Sequence, residues 1–250
     1  MRAFILALQL LTRLPVPLLG PPPRPEELGL SVVFFPVIGF LIGALLAGLH
    51  TVLWLADPGV LAGLVLAVWV LLTGGLHLDG LADTADAWIG GQGARERTLE
   101  IMKDPRCGPA AIVAVGLVLL NKFAALQVLL AGDARAVLVL VPVLARASLV
   151  LLLATTPYIR PEGLGSPYAR HLPRASCGLM LLACSAATLW WLDAQGAVLL
   201  GVLAAVFLIV RQRFVSRLGG VTGDALGASC ELLETVLLLA VALSADFQNG

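Results

Sequence analysis

Three aspartates at positions 79, 83 and 86 stand at i,i+4 and i,i+3 spacing inside His77-Leu-Asp79-Gly-Leu-Ala-Asp83-Thr-Ala-Asp86. On a helix of 3.6 residues per turn this spacing stacks the side chains on one face. Stacked carboxylates repel one another unless a cation lies among them. A donor set made only of oxygen suits Mg²⁺ or Mn²⁺ rather than zinc, which prefers sulfur and imidazole. The motif follows directly on an apolar run. A divalent cation held there would therefore lie at a membrane surface, a setting that suits phosphate chemistry.

Three further groups have residue types of the same kind. Gly219-Gly-Val-Thr222-Gly223-Asp224 leads into an apolar segment that also contains Glu231 and Glu234. Glycines beside an acid permit close backbone approach to a ligand, and ionisable groups inside a span face the bundle interior and mark function. The structural alternative is that the two glutamates only pair with Lys122 or Arg146, and Arg146 itself reads as the partner of a buried acid. Glu100-Ile-Met-Lys103-Asp104-Pro-Arg106-Cys-Gly108 places two cations and an acid before another apolar run. Tyr158-Ile-Arg160-Pro-Glu162-Gly163-Leu-Gly165 offers a cation, an acid and glycines in one loop, a weak signal taken alone. Cations beside metal-binding acids are what phosphate substrates require.

The elements that must position these groups are membrane spans. Of the chain, 59% is hydrophobic and only 13% charged, with a mean hydropathy of +0.97, far outside the soluble range. Runs near the ~20 residues needed to cross a bilayer predict spans at 32–55, 60–78, 109–131, 136–156, 177–192, 197–210 and 227–245. The expected fold is an all-α polytopic integral membrane helical bundle, one domain over 1–250, with about seven transmembrane helices. The short fifth and sixth spans flank Asp193-Ala-Gln-Gly196, which reads as a tight turn between antiparallel helices. Residues 4–11 resemble a signal peptide, but Thr12-Arg13, Pro15 and Pro17 follow without a small-residue cleavage site. An N-terminal interfacial helix within 1–31 is expected instead, followed by a stiff Pro21-Pro-Pro-Arg-Pro25 connector.

Lysine and arginine are distributed one-sidedly: residues 1–31 and the loops 79–108, 157–176 and 211–226 contain nearly all of them, while Arg135 stands alone on the other side. The positive-inside rule puts that face, with every acidic and glycine-rich motif, in the cytoplasm, the N-terminus inside and the C-terminus outside. Zero net charge and a pI near 6.8 give bulk electrostatic binding of nucleic acid no support. The four cysteines form no CxxC and have no histidine at ligand spacing, so they receive no role.

Over nearly its whole length the chain resembles cobalamin synthase, the family of membrane-bound adenosylcobinamide-GDP ribazoletransferases of cobamide assembly. The resemblance runs from Ala7-Leu-Gln9-Leu-Leu-Thr12-Arg13-Leu-Pro15-Val-Pro17 and Phe34-Phe35-Pro36-Val-Ile-Gly39 through the aspartate motif to Gly220-Val-Thr222-Gly223-Asp224-Ala-Leu-Gly227. It departs at Pro105-Arg106-Cys107-Gly108-Pro109-Ala110 and at Leu30. The resemblance implies a bacterial inner-membrane enzyme that joins adenosylcobinamide-GDP to α-ribazole or its 5′-phosphate and releases GMP. Mg²⁺ is the implied cofactor, held by Asp79, Asp83 and Asp86 with Asp104 and Asp224. His77, Asp83 or Asp224 would serve in catalysis, one of them as base. Lys103, Arg106 and Arg160 would contact diphosphate oxygens, with Glu162, Thr222 and Gly223 also at the substrate; a homo-oligomer is left open. Two other readings compete. A CDP-alcohol phosphatidyltransferase would need Arg where Asp83 follows Ala82, and an ion-coupled transporter would use Glu231, Glu234, Lys122 and Arg146 as a relay.

Overall fold

A computed structural model of the chain describes residues 1–17 and 20–244, and residue 245, the expected end of the last span, lies outside the described residues. The fold is an all-helical bundle: α1 (Arg2–Leu11), α2 (Pro25–Ser31), α3 (Phe35–Val52), α4 (Pro58–Thr73), α5 (Leu76–Gly90), α6 (Arg95–Ile101), α7 (Pro109–Leu129), α8 (Arg135–Thr155), α9 (Ser166–Arg170), α10 (Arg174–Leu218) and α11 (Gly223–Leu243). Among the described residues five helical stretches are long and apolar enough to cross a membrane, Pro25–Val52, α7, α8, α10 and α11, and a sixth if the bent pair α4 and α5 is one span. The protein is a multi-pass membrane protein. At ten residues α1 is too short to cross and packs on the bundle through Ala3, Leu6, Ala7 and Leu11.

The long element α10 is a folded-back pair, as the turn at 193–196 predicts. Asp193 leaves helical geometry with φ 48°, and a Cβ on Gly196 would lie 2.6 Å from the Thr188 carbonyl oxygen, so the arms before and after the turn touch. Both far ends meet the end of α8. Arg174 donates to the Ala154 carbonyl at 3.2 Å and Arg211 to that of Thr155 at 2.8 Å. Each arm is about the ~20 residues a bilayer requires.

The central helix is α8, buried on nearly every side. It is reached closely by α3 at Gly39 and Gly43, where added Cβ atoms would lie 2.5 and 2.6 Å from the carbonyl oxygens of Pro142 and Leu138. This is the small-residue spacing that lets membrane helices touch backbone to backbone.

Helix enters all three expected loops, 157–176 through α9 and the start of α10. Residues 79–108 hold two helices, α5 and α6, and 211–226 are helical except for the link 219–222, because α10 continues to Leu218. The second span ends at Thr73 rather than 78. Consecutive glycines, Gly74 and Gly75, take left-handed φ values of 62° and 69°, and the chain turns by 87° into α5. The aspartate motif thus rides on a helix that turns away from the span before it.

Candidate active site

Close backbone contact sets α5 against α11. A Cβ on Gly80 would lie 2.8 Å from the Asp224 carbonyl oxygen, and one on Gly227 3.2 Å from that of His77. The first turn of α11, which Thr222 caps by accepting from the Ala225 N–H at 3.1 Å, is therefore laid along the aspartate helix. A single parallel bridge supplies the third wall. Ile159 N–H donates to the Val221 carbonyl at 3.0 Å, and Val221 N–H to that of Pro157 at 2.9 Å. The bridge brings Arg160 to Asp224, to which it donates at 2.7 Å.

The result is a carboxylate cluster with one facing cation. Asp83 lies within electrostatic range of Asp224, Asp79 and Asp86, with Arg160 opposing them. The Nε and Nη2 groups of Arg160 are buried and find no partner among the described residues. Buried donors in native proteins are nearly always bonded, so these two are free to donate to an oxygen from outside the chain. His77, Asp79, Arg160, Glu162, Gly223 and Asp224 all line one cavity of about 830 Å³. Arg160 and Glu162 are shared with an adjoining cavity of about 430 Å³, whose far side carries Lys103. Burial pushes the Tyr158 hydroxyl above its usual range, so this cavity-wall phenol stays protonated.

Four sequence-predicted residues are placed differently. Asp104 turns outward to a bidentate pair with Arg106, which holds its carboxyl at about 2, and it stands apart from the other aspartates. Arg106 is 87% exposed and lines neither cavity, being aimed at Asp104. Asp86 is committed to the start of α7, accepting from the backbone N–H groups of Gly108 at 2.5 Å and Ala111 at 2.9 Å. Thr222 is fully buried as a helix cap, not presented to a substrate. Of the aspartates, Asp79 and Asp224 are left lining the cavity, with Asp83 within electrostatic range of both.

Among the described residues no three His, Cys, Asp or Glu side chains converge into a ready ligand shell. Carboxylates that share one cavity edge with orphaned arginine donors fit a cation completed by substrate, because Mg²⁺ is commonly held by one or two carboxylates plus phosphate oxygens and water.

Beneath the cavity lies a second charged cluster. Lys122 of α7 donates to Glu231 at 2.6 Å and also to Glu234, both on α11, and stands 5.0 Å from the Trp69 ring. Arg146 of α8 pairs with Glu234 on one side, and its Nη2 is 3.5 Å from His77 Nδ1 on the other. Two cations and two anions balance. Glu231, Glu234, Lys122 and Arg146 therefore form the ion-paired core that the structural alternative anticipates.

A family model described as cobalamin-5-phosphate synthase matches residues 3–242. The chain belongs to that family. Cobalamin-5-phosphate synthase relatives include the adenosylcobinamide-GDP ribazoletransferase of Pseudomonas syringae pv. syringae (strain B728a), 51% identical over 97% of this chain and 100% of its own. Those of Pseudomonas fluorescens (strain SBW25) and Pseudomonas paraeruginosa (strain DSM 24068 / PA7) are each 50% identical over 97% of this chain and 100% and 98% of theirs. No solved structure matches the chain.

The sequence reading passed over the apolar half of the cavity: Leu10, Leu28, Phe35, Leu149, Leu153 and Tyr168. In a chain this hydrophobic, nothing in spacing separates a leucine that lines a cavity from one that faces lipid. Tyr158 and Tyr168 are the exception, being the only two tyrosines in the sequence and both on its walls.

Proposed function

We propose that the protein is an adenosylcobinamide-GDP ribazoletransferase of the bacterial cytoplasmic membrane, with its site on the cytoplasmic face. What carries this reading is Arg160: a guanidinium with two unpartnered buried donors, tied to Asp224 and set between two cavities. A diphosphate needs such a fork. The ribose hydroxyl of α-ribazole, or of its 5′-phosphate, attacks the phosphorus joined to cobinamide. The new O–P bond forms as the bond to the bridging diphosphate oxygen breaks, and GMP leaves with that oxygen.

Asp79, Asp83 and Asp224 would hold Mg²⁺, which supplies neutralisation of charge on the diphosphate. Arg160 takes a nonbridging oxygen, and Lys103 in the adjoining cavity holds the departing phosphate. The hydroxyl proton passes to an aspartate, for which Asp83 is placed best, in the middle of the cluster. The alternative base, His77, faces Arg146 with Nδ1. A guanidinium only donates, so the ring proton belongs on Nε2 and Nδ1, turned to Arg146, is not free to act as the base. A membrane site is consistent with the one-sided arginines. The cation-rich segments meet one another, Arg95 donating to the Leu218 carbonyl at 2.7 Å and Arg217 to Thr98 at 3.1 Å.

Against a transporter stands the paired state of the buried charges, and against a phosphatidyltransferase the aspartate at position 83, after Ala82, where its motif needs arginine. The test is chromatographic detection of GMP and cobalamin product from the detergent-purified protein with adenosylcobinamide-GDP, α-ribazole and Mg²⁺. Product that vanishes with EDTA and returns with added Mg²⁺ is expected. Folded protein that forms neither product nor GMP sinks the proposal.

A further inference from the structure

The 830 Å³ cavity is two-natured. Its charged groups come from α5, the 157–165 loop and α11. Its other walls are hydrocarbon and aromatic, contributed by different elements: Leu28 of α2, Phe35 of α3, Leu149 and Leu153 of α8, and Tyr168 of α9. Phe35 and Tyr168 stand 6.5 Å apart between ring centroids, tilted by 48°. A volume of this size encloses one small-molecule ligand, and a corrinoid bearing a nucleotide is far too large to be taken in whole.

We propose that this chamber is the binding site of the acceptor nucleoside, with its flat benzimidazole-type base among Leu28, Leu149, Leu153, Phe35 and Tyr168 and its ribose turned toward Asp224 and Arg160. The corrinoid substrate then stays outside, reaching in only with its diphosphate. This rests on the transferase reading above and adds which substrate is swallowed. The chemistry of the walls selects among flat bases. Guanine, the other base in the reaction, carries several donors and acceptors on its edges, and burying them against leucine would leave them unpaired at a cost of ~1–3 kcal/mol each. A dimethylbenzimidazole has no hydrogen-bond donor on its ring edge and gains from every apolar contact. The same logic rejects polar bases more strongly than it rejects apolar ones of altered shape.

The experiment is calorimetric titration of the full-length protein in detergent with α-ribazole and, separately, with GMP, for the unaltered chain and for Leu153→Trp, which fills the chamber. Leu28→Trp, on a half-buried position of α2, repeats the test at a site whose alteration leaves the buried core alone. Steady-state turnover is read alongside for both substrates. Expected are α-ribazole binding by the unaltered protein, a loss of at least ~10-fold in that affinity for each filled variant, and a matching rise in KM for α-ribazole. KM for adenosylcobinamide-GDP should move less than ~2-fold. Filled variants that instead weaken GMP or raise KM for adenosylcobinamide-GDP, with α-ribazole unaffected, overturn the assignment. Absence of α-ribazole binding to the unaltered chain overturns it also. The titration needs no turnover, so it separates this proposal from the activity: binding without product keeps the chamber and removes the reaction.

Discussion

Two charged regions lie one above the other in this bundle and differ in how their charges are spent. The deeper one, Lys122, Arg146, Glu231 and Glu234, is balanced in charge: each cation meets a carboxylate, all four side chains are almost entirely buried, and Arg146 Nε is the one donor there without a partner among the described residues. The upper one, Asp79, Asp83 and Asp224 around Arg160, has more anions than cations and an arginine with donors to spare. Balanced charge in a low-dielectric interior fixes helices relative to one another, whereas unbalanced charge at a cavity edge waits for a ligand. The number of ionisable residues does not tell the two apart. Their pairing does.

That contrast can be broken experimentally, beginning with the upper region. Asp83→Asn should lower turnover by ~10³-fold, since it removes the carboxylate in the middle of the cluster, while thermal unfolding in detergent stays near that of the unaltered chain. If unfolding shifts as much as activity falls, Asp83 belongs with the structural charges. Glu234→Gln should do the reverse. It strips Lys122 and Arg146 of a shared partner, and a loss of ~3–5 kcal/mol in stability is expected, seen as a marked fall in melting temperature and in yield of folded protein. Arg160→Lys keeps the charge and loses the fork, so kcat/KM should fall ~10-fold to ~100-fold with the melting temperature little changed. Arg106→Ala should change turnover less than ~2-fold, because its partner Asp104 and its own exposed head lie away from both cavities. A large effect there would restore the 105–110 turn to the site.

The aspartate face, the Gly-Val-Thr-Gly-Asp segment and the turn near Asp193 were legible because each is written in local spacing. Asp79, Asp83 and Asp86 share a helical face by arithmetic alone. Which of them is free for a ligand was not legible, since the demand on Asp86 comes from the backbone of Gly108 and Ala111, more than twenty positions away. The pairing of Asp104 was not legible for a related reason: Arg106, two residues on, takes its carboxylate. Beyond the aspartate face, the length of α5 and the presence of α6 were hidden by treating polar sequence as loop. A helix needs only one buried face, and Gly80, Leu81, Thr84 and Ala87 supply it. The apolar chamber was least visible, because its leucines look like every other leucine in a membrane chain.

The bridge between Tyr158 and Val221 has a mechanical meaning. Two backbone hydrogen bonds splice the loop before α9 to the link before α11, so Arg160 and Asp224 ride on one rigid joint rather than on two independent arms. Any widening of the cavity must then carry Arg160 and Asp224 together, and whatever yields lies elsewhere along the rim. The pair is registered by backbone before anything binds, with no search of one side chain for the other.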